Sequence, residues 1–242
     1  LSVDAYMDKR SKMPVSGSNV ISSAIGISIP QQNNGKTEYK GIDLGIDWKD
    51  KVGKDFTYYV GGTLNYIRTE VIENGEGYIP YDYLSGKGLP DGQLFGLEAI
   101  GYFRDEADIA NSPQQMFSEV RPGDIKYKDM NGDRIIDDND VHPIGHSSSV
   151  PEIYYGLKLG LEYKGFGLDA LFQGVAGYSR MMNVSSVYWP LRNNTNVSDW
   201  YLHDKIRWTE ETRDIANVPR LTTLNNSNNF RNSTQWLVCL LY

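Results

Sequence analysis

The residues best suited to chemistry lie in one acidic segment that begins at Asp129. Counted from that residue, side-chain oxygens stand at loop positions 1, 3, 5, 9 and 12, and position 7 offers its backbone carbonyl. This spacing allows one loop to wrap a hard cation such as Ca²⁺ with six or more oxygens. The sequence therefore predicts a structural calcium site. Its ligands would be Asp129, Asn131, Asp133, Ile135 (through its carbonyl), Asp137 and Asp140.

Two features of the acidic segment depart from a calcium loop. Arg134 occupies the sixth position, where a glycine normally allows a sharp turn, and Asp140 replaces the longer glutamate that binds through both oxygens. The sequence around the segment does not predict flanking helices. The alternative is a turn rich in Asp and Asn, whose carboxylates are solvated or accept backbone N–H groups. The sequence leaves both interpretations open.

The rest of the chain offers no catalytic residues. His142 and His146 are separated by a proline and a glycine, so no helix presents them to one metal ion. There is no nucleophile elbow, phosphate-binding loop or Cys/His cluster. The acidic pairs at 105–106 and 210–211 are typical of solvated surfaces. We therefore predict that the protein is not an enzyme.

The elements that would position the acidic segment are strands. Stretches 39–66 and 153–173 alternate apolar and polar residues with a period of two, which predicts strands with one apolar face. Short turns near Lys51 and Gly165 divide each stretch into a hairpin, with aromatic residues on both sides of each turn. Segments 1–8 and 236–242 add a strand each. The sequence thus predicts about six strands, several of them long enough to cross a bilayer at a tilt.

The connections between these strands alternate in length along the chain. Segments 9–36, 71–150 and 179–234 are long, and the two turns between them are short. In an up-and-down barrel every second connection lies at the same rim, and outer-membrane barrels have short periplasmic turns and long external loops. We therefore predict an all-β fold, a partial antiparallel transmembrane β-barrel. Segment 71–150, with the acidic motif, and segment 179–234 would be its long extracellular loops.

Composition narrows the choice of partners. No apolar stretch is long enough for a membrane-spanning helix, and a mean hydropathy of −0.48 suits barrel strands with two different faces. A net charge of −7 without a basic run disfavours nucleic acid and anionic lipid headgroups. The 24 Gly and 17 Tyr fit a barrel, but they also fit a soluble calcium-stabilised β-sandwich that binds glycans. That sandwich is the alternative.

Several segments, in order along the chain, resemble SusC/RagA-type TonB-dependent transporters. Segment 122–145, with its Pro-Gly-Asp and Asn-Gly-Asp motifs, is similar to the acidic stretch of that family. Segment 155–174 is similar to the hairpin that follows it there. Shorter matches occur at 40–44, 207–209 and 231–234. The matches cover essentially the whole chain.

The resemblance implies part of an outer-membrane importer of Bacteroidetes. Such a protein takes up oligosaccharides or peptides, has a SusD-type surface lipoprotein as partner, and is driven by the TonB complex through an N-terminal region. This sequence contains neither the plug nor the TonB box of the family. It opens inside an alternating segment, and residues 237–242 depart from the family pattern. We therefore expect a fragment that cannot insert or transport alone; the transported substrate stays open.

Overall fold

The computed structural model describes residues 1–15, 30–184, 187, 190–191, 196–224 and 226–240. Within these residues the chain forms mainly strands, with one short α-helix and a few single helical turns. The strands are β1 (Ser2–Val15), β2 (Gln32–Val52), β3 (Phe56–Glu73), β4 (Gln93–Gly96), β5 (Ala99–Tyr102), β6 (Gln114–Gln115), β7 (Ile125–Tyr127), β8 (Ile135–Ile136), β9 (His142–Ser147), β10 (Ile153–Tyr163), β11 (Phe166–Ala176), β12 (Tyr178–Met181) and β13 (Leu237–Leu240). The helices are α1 (Glu106–Asn111), 3₁₀ turns at Asp82–Leu84, Asp138–Asp140 and Thr234–Trp236, and a π-helical turn at Trp200–Asp204.

The main sheet has five strands in the order β1-β2-β3-β10-β11, and every neighbouring pair is antiparallel. Both predicted hairpins are present. Residues 53–55 join β2 to β3, and residues 164–165 join β10 to β11. Gly53 and Lys164 adopt φ values of 69° and 49°, the left-handed conformation that such tight turns require. The all-β antiparallel fold is confirmed, as a sheet that does not close on itself.

The first three strands are longer than the alternation of apolar residues indicated. β1 continues to Val15 and β2 begins at Gln32, so the predicted connection 9–36 is strand at both of its ends. Pairs such as Arg10 with Thr37 hold these polar extensions together. The sequence pattern missed them because their side chains do not alternate between apolar and polar. Residues 16–29 lie outside the described part of the chain.

The sixth predicted strand, at 236–242, is present as β13 but lies outside the main sheet. It pairs antiparallel with β12, from Met181 opposite Leu237 to Tyr178 opposite Leu240. β12 follows β11 after Gly177, whose φ of 63° interrupts the strand. β12 thus continues β11, and β13 pairs with this continuation. Residues 241–242 are not described.

The two longest connections pack together into one unit, which we call the loop domain. It comprises the described residues of segments 74–152 and 178–240, at the end of the sheet opposite the short turns. Small sheets β4-β9, β5-β7, β6-β8 and β12-β13 form its framework. Its buried apolar core draws on both connections. The core residues are Leu97, Ile125, Tyr127, Ile136, Val187, Tyr201, Val218 and Trp236.

Candidate functional site

One face of the main sheet is apolar and exposed. Strand register places the apolar residues of adjacent strands side by side, as in the row Trp48, Val60 and Leu159. Exposure on this face reaches 82% for Phe166 and is still 38% for Leu159. The large side chains exposed there are Val3, Met7, Ile42, Leu44, Ile46, Trp48, Val52, Val60, Leu64, Tyr66, Tyr155, Leu157, Leu159, Leu161, Tyr163, Phe166, Leu168 and Phe172. An apolar surface of this extent marks contact with a membrane or another protein.

The apolar face has the height of a membrane β-barrel. Its lowest row, at the short turns, contains Val52, and its highest row contains Ile42, ten residues earlier on β2. At about 3.3 Å per residue, and with the tilt of about 40° that is typical of strands in outer-membrane barrels, ten residues would rise about 25 Å along a barrel axis. That equals the height of the lipid-facing band in outer-membrane barrels, about 25 Å. Aromatic residues such as Tyr163 and Phe166 lie in the lowest row, the level at which outer-membrane barrels carry an aromatic girdle.

Charged side chains end the apolar face on the side of the loop domain. Two consecutive rows above Ile42 are Met7-Lys40-Arg68 and Lys9-Glu38-Glu70. Glu38 accepts Lys9 Nζ at 2.8 Å and Lys40 Nζ at 3.0 Å. We call these residues the charged collar: Lys9, Glu38, Lys40, Arg68 and Glu70.

The opposite face of the sheet is polar. Asn65 donates hydrogen bonds to Asp43 and, at 3.4 Å, to the Tyr6 hydroxyl. Tyr59 donates to Asp169 at 2.7 Å, so this bond joins β3 to β11 across β10. A hollow of about 790 Å³ lies against these strands, and its lining combines polar residues such as Asp43 and Gln173 with Leu171 and Val175. The hydrogen-bonded carboxylate, amide and hydroxyl groups of this face suit contact with water.

Glycines allow tyrosine rings to lie flat on the polar face. A Cβ atom at Gly160 would lie 2.0 Å from the Tyr59 ring, and one at Gly41 would lie 2.3 Å from the Tyr6 ring. No side chain larger than hydrogen fits under either ring without displacing it. These two glycines therefore position the hydroxyls that bond to Asp169 and Asn65.

The acidic segment folds as a turn whose carboxylates accept backbone amides. Asp129 accepts the Gly132 N–H at 2.6 Å and the Arg134 N–H at 2.8 Å. Asn131 and Asp133 each accept the amide two residues later, at 2.9 Å and 2.8 Å. This is the hydrogen bonding that the alternative interpretation of the sequence described. Arg134 adopts the left-handed conformation expected of a glycine, with φ of 66°.

Asp140 anchors the end of the acidic segment. It is fully buried and accepts the Met130 N–H at 2.8 Å and the Asp137 N–H at 2.9 Å. Asp137 in turn accepts the Asn139 N–H at 2.7 Å. In the described part of the chain, no three His, Cys, Asp or Glu side chains are grouped as a metal site requires. Hydrogen bonds thus account for the shape of this turn, and calcium binding at the six predicted ligands stays a prediction.

We expect Asp129→Ala to open the acidic turn even in buffer that contains a chelator, because two backbone N–H groups lose their acceptor. The measurement is hydrogen exchange at Gly132 and Arg134, which should become several-fold faster. Asp138→Ala is the control, since this exposed carboxylate bonds only a side chain, that of Arg231. If Ca²⁺ slowed exchange in the wild-type protein but not in Asp129→Ala, calcium binding at this turn would be supported. Equal exchange in Asp129→Ala and Asp138→Ala would contradict the role of Asp129.

A buried ion pair joins the two connections that form the loop domain. Asp124 is fully buried, and Arg220 donates to its two oxygens, from Nε at 2.8 Å and from Nη2 at 3.3 Å. Asn226 and Asn229 donate further bonds to the same carboxylate at 2.8 Å and 3.0 Å, as does the Arg121 N–H at 2.8 Å. Five donors satisfy one buried charge.

The asparagine segment 226–229 continues this network into the core. Asn229 accepts the Ile125 N–H at 2.9 Å, and Asn228 donates to the Ile125 carbonyl at 2.9 Å. Gln115 bonds to Asn228 and accepts the Tyr127 N–H at 2.8 Å. Side-chain amides thus complete the hydrogen bonds of β7 on one side. These residues were not predicted from the sequence, where the one signal is the density of asparagines after residue 224.

Two tyrosines, Tyr201 buried and Tyr102 partly buried, support the same domain. Tyr201 donates its hydroxyl to the Pro219 carbonyl at 2.6 Å, and Tyr102 donates to Gln235 at 2.9 Å. Burial raises the pKa of both phenols well above the usual value, so both remain protonated donors. The two bonds join β5 and the π-helical turn to the later part of the chain.

Comparisons with known proteins bear on the fold alone. No protein-family model and no curated protein sequence matches the chain. Among the described residues, none of the helices has the length and apolar character to cross a membrane.

Solved structures of RagAB have the same fold. One is a peptide importer in an "open-open" state, with a TM-score of 0.66 at 20% identity over 98% of this chain and 24% of that chain. The RagAB peptide transporter gives 0.65 at 20% identity, over 97% of this chain and 25% of that one. The "closed-closed" importer gives 0.59 at 20% identity, over 98% and 25%. The chain spans about a quarter of the length of these chains, and it has the all-β fold of that part of them.

Proposed function

We propose that the chain forms part of the wall of a TonB-dependent outer-membrane importer. The observation that carries the proposal is the two-faced sheet: an exposed apolar face of bilayer height on one side, and a hydrogen-bonded polar face on the other. Lipid would contact the first face and water in the barrel the second. The likeness to transport proteins, none of them described as an enzyme, agrees with this role.

The proposed orientation follows from the loop lengths. The turns at 53–55 and 164–165 would lie in the periplasm, and the loop domain would lie outside the cell. There its surface would contact a SusD-type lipoprotein and the entering oligosaccharide or peptide. The TonB complex would act on the plug region of the longer protein. The acidic turn would then lie in the outer part of the molecule, with a structural role.

The soluble glycan-binding β-sandwich is the less favoured function. A sandwich seals the apolar faces of two sheets against each other. In the described part of the chain the apolar face of the main sheet is exposed, and the core that does form belongs to the loop domain. If a second sheet packed on this face, Phe166 would not be 82% exposed.

Cysteine labelling in whole cells tests the proposed orientation. In a full-length protein made free of native cysteines, Cys239 included, we expect Asp214→Cys in the loop domain to react with a membrane-impermeant maleimide. Lys54→Cys, in the first short turn, should react only after the outer membrane is permeabilised. Both positions are exposed, so accessibility within the protein does not limit either reaction.

The controls separate orientation from folding. Both variants should label fully in detergent, and both should fractionate with the outer membrane. Equal labelling of the two positions in intact cells would overturn the orientation. Recovery of the full-length protein in the detergent-free soluble fraction would overturn membrane insertion itself and favour the sandwich.

A further inference from the structure

The charged collar occupies a special position on the sheet. Its rows follow directly above the apolar row of Ile42, on the same face, because residues paired across antiparallel strands share a side. A charged side chain is costly in hydrocarbon and nearly free of cost at the interface, so under the proposed function these rows lie where the external headgroups begin. The polar extensions of β1, β2 and β3 form this part of the sheet.

The ion pairs within the collar do not neutralise all of its basic groups. Lys9 and Lys40 both bond the carboxylate of Glu38, and Glu70 adds a second negative charge beside Lys40. The two lysine side chains are 64% and 52% exposed, whereas that of Glu38 is 19% exposed. Arg68 is exposed as well, directly opposite Lys40. Glu38 is thus largely covered, whereas the three basic side chains are exposed.

Folding brings these cations together from three strands. Lys9 comes from β1, Lys40 from β2 and Arg68 from β3, which explains why the sequence contains no basic run and appeared unsuited to anionic lipid. Three cations against two carboxylates leave the collar positive, in a chain whose net charge is −7. A basic cluster at the edge of an apolar band fits an anionic headgroup, at the depth where lipid phosphates lie.

We propose that the charged collar binds the phosphate groups of a phosphorylated glycolipid in the outer leaflet. Lys9, Lys40 and Arg68 would contact the phosphates, which would compete with Glu38 for the two lysines. The inference rests on the proposed membrane function, since only there does a headgroup layer reach these rows.

The test measures glycolipid retained by the full-length protein. The protein is reconstituted in vesicles of phosphatidylcholine with a bis-phosphorylated lipid A, extracted gently and examined by native mass spectrometry. The triple variant Lys9→Gln, Lys40→Gln, Arg68→Gln should retain about tenfold less lipid A, because each basic residue near the surface contributes to headgroup binding. Phosphatidylcholine alone should show no difference between the proteins.

Matched variants identify the cause. The control is a second triple variant that removes the same charge at the short turns: Lys51→Gln, Lys54→Gln, Lys164→Gln. It should retain as much lipid A as the wild-type protein. Glu38→Gln should retain more, because both lysines lose their competing anion, a gain that a purely structural ion-pair cluster would not give. Equal retention by the wild-type and collar variants would overturn the inference. Failure of the wild-type protein to fold into vesicles would instead overturn the membrane function.

Discussion

Asp124→Ala should destabilise the loop domain by about 3–5 kcal/mol, because it breaks an ion pair whose carboxylate is fully buried. The substitution leaves the Arg220 side chain, which is only 18% exposed, without its partner, and it removes the acceptor of Asn226, Asn229 and the Arg121 N–H. Hydrogen exchange of the full-length protein in detergent measures the effect. Protection should fall in segments 121–127 and 226–229 together, because the same carboxylate holds both.

The matched control is Asp214→Ala, which removes another aspartate–arginine pair of the same domain. Asp214 bonds Arg104 at 2.7 Å, but both side chains are more than half exposed, so the loss should be small. A further variant, Asp124→Ala with Arg220→Ala, should recover part of the stability, since no unpaired buried charge remains. If Asp124→Ala exchanged no faster than Asp214→Ala, the ion pair would not hold the two connections together.

The sheet was predictable because its apolar pattern is local. Alternation around Ile42 and Leu159 determines which face each side chain takes, and the short turns determine which strands are neighbours. The ends of the strands were harder to predict. Arg10 and Thr37 are opposite partners in the antiparallel ladder, and a polar extension held by backbone pairing leaves no trace in the pattern of hydrophobicity.

The loop domain was not predictable because its contacts are distant in sequence and polar. Asp124 and Arg220 are 96 residues apart, and neither is distinguished by its neighbours. Gln115 and Asn228 would ordinarily be assigned to the surface, yet both are buried. In the acidic turn, the residue types showed that oxygens would converge on a loop. They could not show that amides at Gly132 and Arg134 would occupy those oxygens.

Leu159→Arg should prevent most of the protein from folding into a bilayer, whereas Leu171→Arg should be tolerated. Leu159 lies near the middle of the apolar face, between Val60 and Ala170. An arginine at the midplane of a barrel's lipid face costs about 2–4 kcal/mol, and near the interface about 0–1 kcal/mol. Heat-modifiable electrophoretic mobility of the full-length protein, after refolding into vesicles, measures the folded fraction.

Leu171 is the matched control because it lies at nearly the same depth on the opposite face. It pairs with Lys158, the residue before Leu159, and is 61% exposed on the polar side. There an arginine would meet water, with only a modest repulsion from Lys158. Phe166→Arg, in the lowest row, should fall between the two, because the cost of charge on a lipid face decreases with distance from the midplane. If the three arginine variants folded equally well, hydrocarbon would not cover the apolar face, and the membrane function would fail with it.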